Sequence, residues 1–116
     1  MTTAQRKRIG RVMVGTRRYH GRVILDAGEM RTIQRIGRLQ KAGDRGRHSR
    51  IRDAIYSTLW TEGVKRHDGK EWSENAVRQA LRLVAKWEAE GMTERVDELI
   101  ARAESGERIP SVAIGA

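Results

Sequence analysis

The sequence predicts a mainly α-helical fold, in which one or two short strands are followed by four helices. Three observations lead there. A single run of consecutive β-formers, Val23-Ile24-Leu25, stands in the first quarter of the chain. Beyond it, four stretches carry apolar residues at spacings of three and four, the period of an amphipathic helix. Each stretch opens on a capping residue (Asp26, Ser49, Ser73 or Thr93) and closes on a glycine (Gly43, Gly63, Gly91 or Gly106).

Taken in order, residues 1–19 read as a basic arm, poor in large apolar groups apart from Val12-Met13-Val14. "RVMVGTR" holds enough β-formers for a short strand. A lone strand is not stable, so the strand at residues 20–26, "HGRVILD", pairs either with residues 11–14 or with a strand of another chain. The Asp26 carboxylate is placed to accept from the free N–H groups of a helix at 27–42. Met30, Ile33, Ile36 and Gly37 fall on one face of that helix, with Leu39 at its edge. Ser49 caps a helix at 50–62 whose stripe is Ile51, Ala54, Ile55, Thr58 and Leu59, and Val64 follows the glycine stop. "KRHDGKE" is a turn. Ser73 caps a helix at 74–90 with Val77, Ala80, Leu81, Val84 and Trp87 inward, and Trp72 is placed to staple it against Ala76 or Val77. Thr93 caps a helix at 94–105 with Val96, Leu99, Ile100 and Ala103 inward. Core packing is expected of Trp60, Trp72 and Trp87. The chain divides into an arm (1–19), a strand with two helices (20–64), a two-helix extension (65–106) and a loose tail (107–116).

A chain of 116 residues is sized for one domain. It has no cysteine, which excludes disulfides and thiolate metal sites and fits a reducing cytoplasm. No apolar run approaches the roughly 20 residues of a membrane helix, so no membrane partner is expected. The histidines at 20, 48 and 67 are isolated, and no nucleophile–base pair or phosphate-cradling loop stands out, so neither metal, cofactor nor catalysis is expected.

The net charge of +9 is uneven: residues 1–66 carry 17 Lys and Arg against 5 Asp and Glu, and residues 67–116 carry 7 against 10. A basic half of this kind is the electrostatic footprint of a nucleic-acid binder. Arg6, Lys7, Arg8, Arg11, Arg17 and Arg18 are dense enough to attract a phosphate backbone. The acidic residues Glu88, Glu90, Glu94, Asp97 and Glu98 read as a solvated face, and helices 74–105 as a possible seat for a protein partner.

One strand, then two helices joined by a glycine-containing loop, is the order of a ribbon-helix-helix DNA-binding domain. "RVILDAGEMRTIQRI" resembles that family's opening and "SRIRDAIYSTL" its second helix, over about residues 20–60. The resemblance implies two intertwined protomers whose strands form an antiparallel ribbon in the major groove. It would direct His20, Arg22 and Ile24 at the bases, and bury Val23, Leu25, Ile33, Ile51, Ile55 and Leu59 in the dimer core. It also implies a phosphate clamp at the start of the second helix, from Ser49 and Arg50 with Ile51, and with Arg47 and His48 adding charge. The connection "LQKAGDRGRHS" is longer than that family's, and Ile24 stands where it usually has a polar reader.

The function expected on these grounds is sequence-specific binding of double-stranded DNA by a homodimer, as a bacterial or phage repressor or accessory factor. The alternative is a small basic subunit of a ribonucleoprotein or CRISPR-related assembly, or its phage-encoded inhibitor, holding RNA or single strands by the backbone.

Overall fold

The computed structural model describes residues 13–43 and 48–115, with side chains in the second span from Arg52 onward. Two strands, β1 (Thr16–Tyr19) and β2 (Arg22–Leu25), precede helices α1 (Ala27–Gly43), α2 (His48–Thr61), α3 (Glu74–Ala89) and α4 (Thr93–Glu104), and a short 3-10 turn (Ser111–Ile114) follows.

The strands pair antiparallel within the chain, Thr16 opposite Leu25 and Tyr19 opposite Arg22. Met13 and Val14 lie before β1, so the ribbon is made by residues 16–25; residues 11 and 12 of the expected strand lie outside the described residues. His20 and Gly21 close it with φ of +48° and +77°. Two consecutive positive φ values make the I′-type turn whose twist matches that of the strands. Glycine meets this demand without strain, and histidine is among the residues enriched there.

Helix α1 is the central element and packs against α2, α3 and α4. The face predicted from spacing is the buried one: Met30, Ile33, Ile36 and Gly37. Facing it, Ile55 and Leu59 of α2, Val77, Ala80 and Trp87 of α3, and Val96, Leu99 and Ile100 of α4 complete one hydrophobic cluster. Trp72 lies in the same cluster as Ala76 and Val77, as a staple requires.

The caps agree with the sequence at two starts and differ at two. Asp26 Oδ2 accepts the Glu29 N–H at 2.8 Å, and Ser73 Oγ accepts the Ala76 N–H at 3.1 Å. Helix α2 already includes His48, so Ser49 is helical and does not cap it. Helix α4 opens at Thr93 behind Met92, which makes no side-chain cap, so Thr93 is a helical residue too. At the far end of α2, Val64 N–H bonds the Leu59 carbonyl and Gly63 N–H that of Trp60, the paired closure of a glycine stop. Equivalent pairs close α3 at Gly91 and α4 at Gly106.

Salt bridges tie the outer helices to α1. Arg35 grips Glu62 with two N–H···O bonds of 2.7 Å. Arg31 reaches α4, meeting Glu104 at 2.6 Å and Asp97 at 2.7 Å. Two of the carboxylates on the helices expected to hold a partner are therefore used inside the fold. Hydrogen bonding from Arg31 holds the Asp97 and Glu104 carboxyls below their ordinary range.

Three expectations are corrected by the packing. The C-terminal segment is not loose. Ile109 and Ile114 are buried, Leu25 N–H donates to the Ile109 carbonyl at 2.9 Å, and Trp87 Nε1–H donates to the Ile114 carbonyl at 3.1 Å. Leu25, Ile33, Ile55 and Leu59, assigned to a dimer core, are buried inside one chain, because α3, α4 and the C-terminal segment supply the cover a second protomer would have given. Trp60 is 59 % exposed, since its place in α2 falls outside the Ile55–Leu59 stripe.

Candidate nucleic-acid interface

The hairpin is fixed to the helices at one end and free at the other. At the fixed end, Gly15 has φ of +86° and no room for a side chain: a Cβ there would lie 2.7 Å from Ile33 Cδ1. Its N–H donates to Glu29 Oε1 at 2.9 Å, and its carbonyl accepts the Asp26 N–H at 2.9 Å.

Glu29 is the hub of this end. Its side chain is 1 % exposed. Oε1 also accepts from Arg66 Nε and the terminal Arg66 NH2, both at 3.3 Å, and Oε2 accepts the His67 N–H at 2.9 Å and lies against His67 Nδ1. A capping-box glutamate usually reaches back to the N-cap N–H. Here Asp26 N–H is taken by Gly15, which leaves Glu29 free to join the hairpin to the 64–72 loop. Arg66 lies 5.9 Å over the buried Trp72 ring, extending the join to α3.

Asp26, Glu29 and His67 each bring a ligand atom within 4.8 Å of the others, which is a spacing a cation could use. Arg66 already supplies the positive charge at Glu29, and both Glu29 oxygens accept N–H groups. The arrangement is therefore an ion-paired joint that holds the hairpin.

The free end carries the basic groups. Side chains alternate across a ribbon. Arg17, Tyr19, Arg22 and Ile24 share one face by the register, and Thr16, Arg18, Val23 and Leu25 the other. Near the helices both faces are covered. Ile24 is only 4 % exposed, because it pairs with Pro110 of the C-terminal segment. Pro110, having no N–H, ends that pairing. Towards the turn both faces open, and Val23 is 36 % exposed. Two expectations are thereby corrected. Ile24 is a core residue and does not present to a base, and Val23, on the same face as Leu25, lies far enough towards the turn to be partly exposed. The alternation itself, Arg22 with Ile24 and Val23 with Leu25, is as expected; what changes it is a tail packed on the face that was to meet DNA.

Arg18, His20 and Arg22 are exposed around the turn. Arg17 is drawn towards Asp26, at 3.4 Å. Arg18, Arg22 and Arg108 have no carboxylate within salt-bridge distance among the described residues, as also holds for Arg38, Arg52, Arg78 and Arg82 of the helices, whereas Arg31, Arg35, Arg95 and Arg102 are paired. Arg6, Lys7, Arg8, Arg11 and Arg47 lie outside the described residues, as do the side chains of His48, Ser49, Arg50 and Ile51. Of the clamp assigned to them, the described backbone gives only the helix, from His48.

Beside β2 the hairpin and the C-terminal segment enclose a cleft of about 320 Å³. His20, Arg22 and Arg108 form its basic rim, Val23, Ile24 and Pro110 its apolar wall, and Tyr19 stands at its side. The Arg108 guanidinium stacks 4.3 Å over the Tyr19 ring, and His20 meets the same ring edge-on with centroids 4.3 Å apart. No carboxylate lines the cleft among the described residues. Sequence reading missed Tyr19 and Arg108. The signal was present in "RIPSVAI", whose isoleucines at 109 and 114 mark a segment able to pack.

No helix among the described residues is long and apolar enough to cross a membrane. No family model, curated protein or solved structure matches this chain.

Proposed function

We propose that this protein binds double-stranded DNA through the free end of its hairpin and acts as a DNA-binding regulator or accessory factor in the cytoplasm. The observation that carries the reading is the gathering of exposed Arg18, His20, Arg22 and Arg108 at the free end of the hairpin and its flanking cleft, whose lining holds no carboxylate among the described residues. A two-stranded ribbon fits the major groove, and here one chain supplies both strands. Arg22 is the base reader in this reading, able to give a guanine edge two N–H groups, worth about 1–3 kcal/mol of discrimination. Arg18 and His20 flank it, and the basic arm adds phosphate contacts. A second copy is then needed only to read the second half of a two-fold site, and not to build the ribbon.

The alternative, a subunit that holds RNA or single strands in a larger assembly, draws on the aromatic and arginine stack at Tyr19 and Arg108, a pairing suited to unstacked bases. Equilibrium titration of the protein against duplex DNA, single-stranded DNA and RNA separates the two. Preference for duplex, with Arg22→Ala losing affinity for a selected target much more than for random sequence, supports the first. Equal losses on both duplexes, or preference for RNA, refute it.

A further inference from the structure

We infer that the cleft between the hairpin and the C-terminal segment is a phosphodiester site, in which Arg108 holds one phosphate of a nucleic-acid backbone and sets the position of the hairpin upon it. The inference rests on the nucleic-acid reading of this face and extends it to a residue at the opposite end of the chain.

Its composition matches that ligand in two parts. A phosphodiester is a single negative charge between two sugars with largely C–H faces. The rim supplies Arg22, Arg108 and His20 for the charge, and the wall of Val23, Ile24 and Pro110 supplies apolar surface for a sugar. A volume of about 320 Å³ exceeds what one phosphate occupies and is at the small end of the range of ligand pockets.

Arg108 is held ready for the role. Stacking on Tyr19 fixes the plane of its guanidinium and leaves the N–H edge to meet an anion, the geometry in which arginine differs from lysine. The backbone bond from Leu25 N–H to the Ile109 carbonyl, and the Ile24–Pro110 pairing, fix the residues that follow it. The neighbouring carboxylate, Glu107, is bonded by Arg102 and does not neutralise it. Phosphate contacts of this kind set register and orientation, and leave sequence to base contacts.

The test uses the full chain and two readouts. In the first, a DNA dinucleotide containing one phosphodiester is titrated while the NMR signals of the Tyr19 ring and the Arg108 Nε–H are followed, with acetate as the control anion. Saturable shifts are expected with the dinucleotide, abolished in Arg108→Gln; no shift, or an equal one with acetate, overturns the site. In the second, the salt dependence of duplex binding is compared. Arg108→Gln should lower the slope of log K against log salt by about 0.9, one phosphate's worth, equally on target and random duplex. Arg108→Lys should restore it in part. An unchanged slope in Arg108→Gln overturns the inference. If Arg108→Gln unfolds, Arg108→Ala carries the comparison, and an unchanged slope there overturns the inference. Dinucleotide binding without duplex binding would keep the cleft and sink the proposed function; duplex binding without dinucleotide binding would do the reverse.

Discussion

Replacing Glu29 probes the joint on which the hairpin depends. In Glu29→Ala the Gly15 N–H, which is buried, loses its acceptor, a cost of about 1–3 kcal/mol. Arg66, whose side chain is 19 % exposed, loses its counter-ion. Removing one partner of a buried pair costs about 3–5 kcal/mol, and access of water to Arg66 and His67 brings the combined loss towards that range and not to the sum. We expect about 3–5 kcal/mol, a large fraction of the roughly 5–15 kcal/mol of a domain. Glu29→Gln keeps the volume and one acceptor oxygen. Its NH2 must then face N–H groups, because Oε1 accepts from Gly15 and Arg66 and Oε2 from His67. A loss of about 1.5–3 kcal/mol follows, the worth of a hydrogen bond to a charged group. Urea unfolding followed by tryptophan fluorescence reads both, since Trp72 and Trp87 are buried reporters. Losses under about 0.5 kcal/mol in both variants would refute the joint, and so would a larger loss in Gln than in Ala.

Three further outcomes follow from the packing and the charges. Ile114→Ala should cost about 2–5 kcal/mol in the same urea assay, as a fully buried side chain does; a loose tail would show no loss. Gly15→Ala should cost at least about 1–3 kcal/mol from its positive φ alone, with the clash against Ile33 adding to it, and a neutral result would contradict the close approach. Hydrogen bonds from Arg31 lower the carboxyl pKa of Asp97 and Glu104 in the fold. Their stabilisation is therefore present above the unfolded carboxylate range near pH 4 and is lost as pH falls through the lower folded values. Unfolding midpoints measured from pH 6 down to pH 2 should fall less steeply in Arg31→Gln; parallel curves would remove Arg31 from the account.

The helices were legible because each needs only local information. Spacing gave the buried face of α1, Asp26 and Ser73 announced two starts, and Gly63, Gly91 and Gly106 announced three ends. Ser49 and Thr93 misled because serine and threonine are as acceptable in a first helical turn as before it, and boundaries hang on one residue. The site was less legible, for a non-local reason. Which face of β2 meets solvent depends on a segment some eighty residues further on, and Ile109–Ile114 reads as a tail unless its two isoleucines are weighed against the core they complete. The same distance hid Arg108 from the basic cluster and Glu29 from His67. Of the stripe expected on α2, Ile55 and Leu59 are buried, Ala54 is exposed and the Ile51 side chain lies outside the described residues; α3, which helps to bury the first two, lies in the stretch the resemblance did not reach.

The central claim is that the free end of the hairpin is the nucleic-acid contact, and an equilibrium titration of duplex DNA at several salt concentrations tests it most directly. Wild type is compared with the double variant Arg18→Ala, Arg22→Ala. Salt-dependent binding is expected in the wild type, and in the variant at least about tenfold weaker binding to a selected target with a salt slope closer to zero by about 0.9, the one phosphate left to Arg18. Binding and slope unchanged in a variant that unfolds at the wild-type urea midpoint would contradict it.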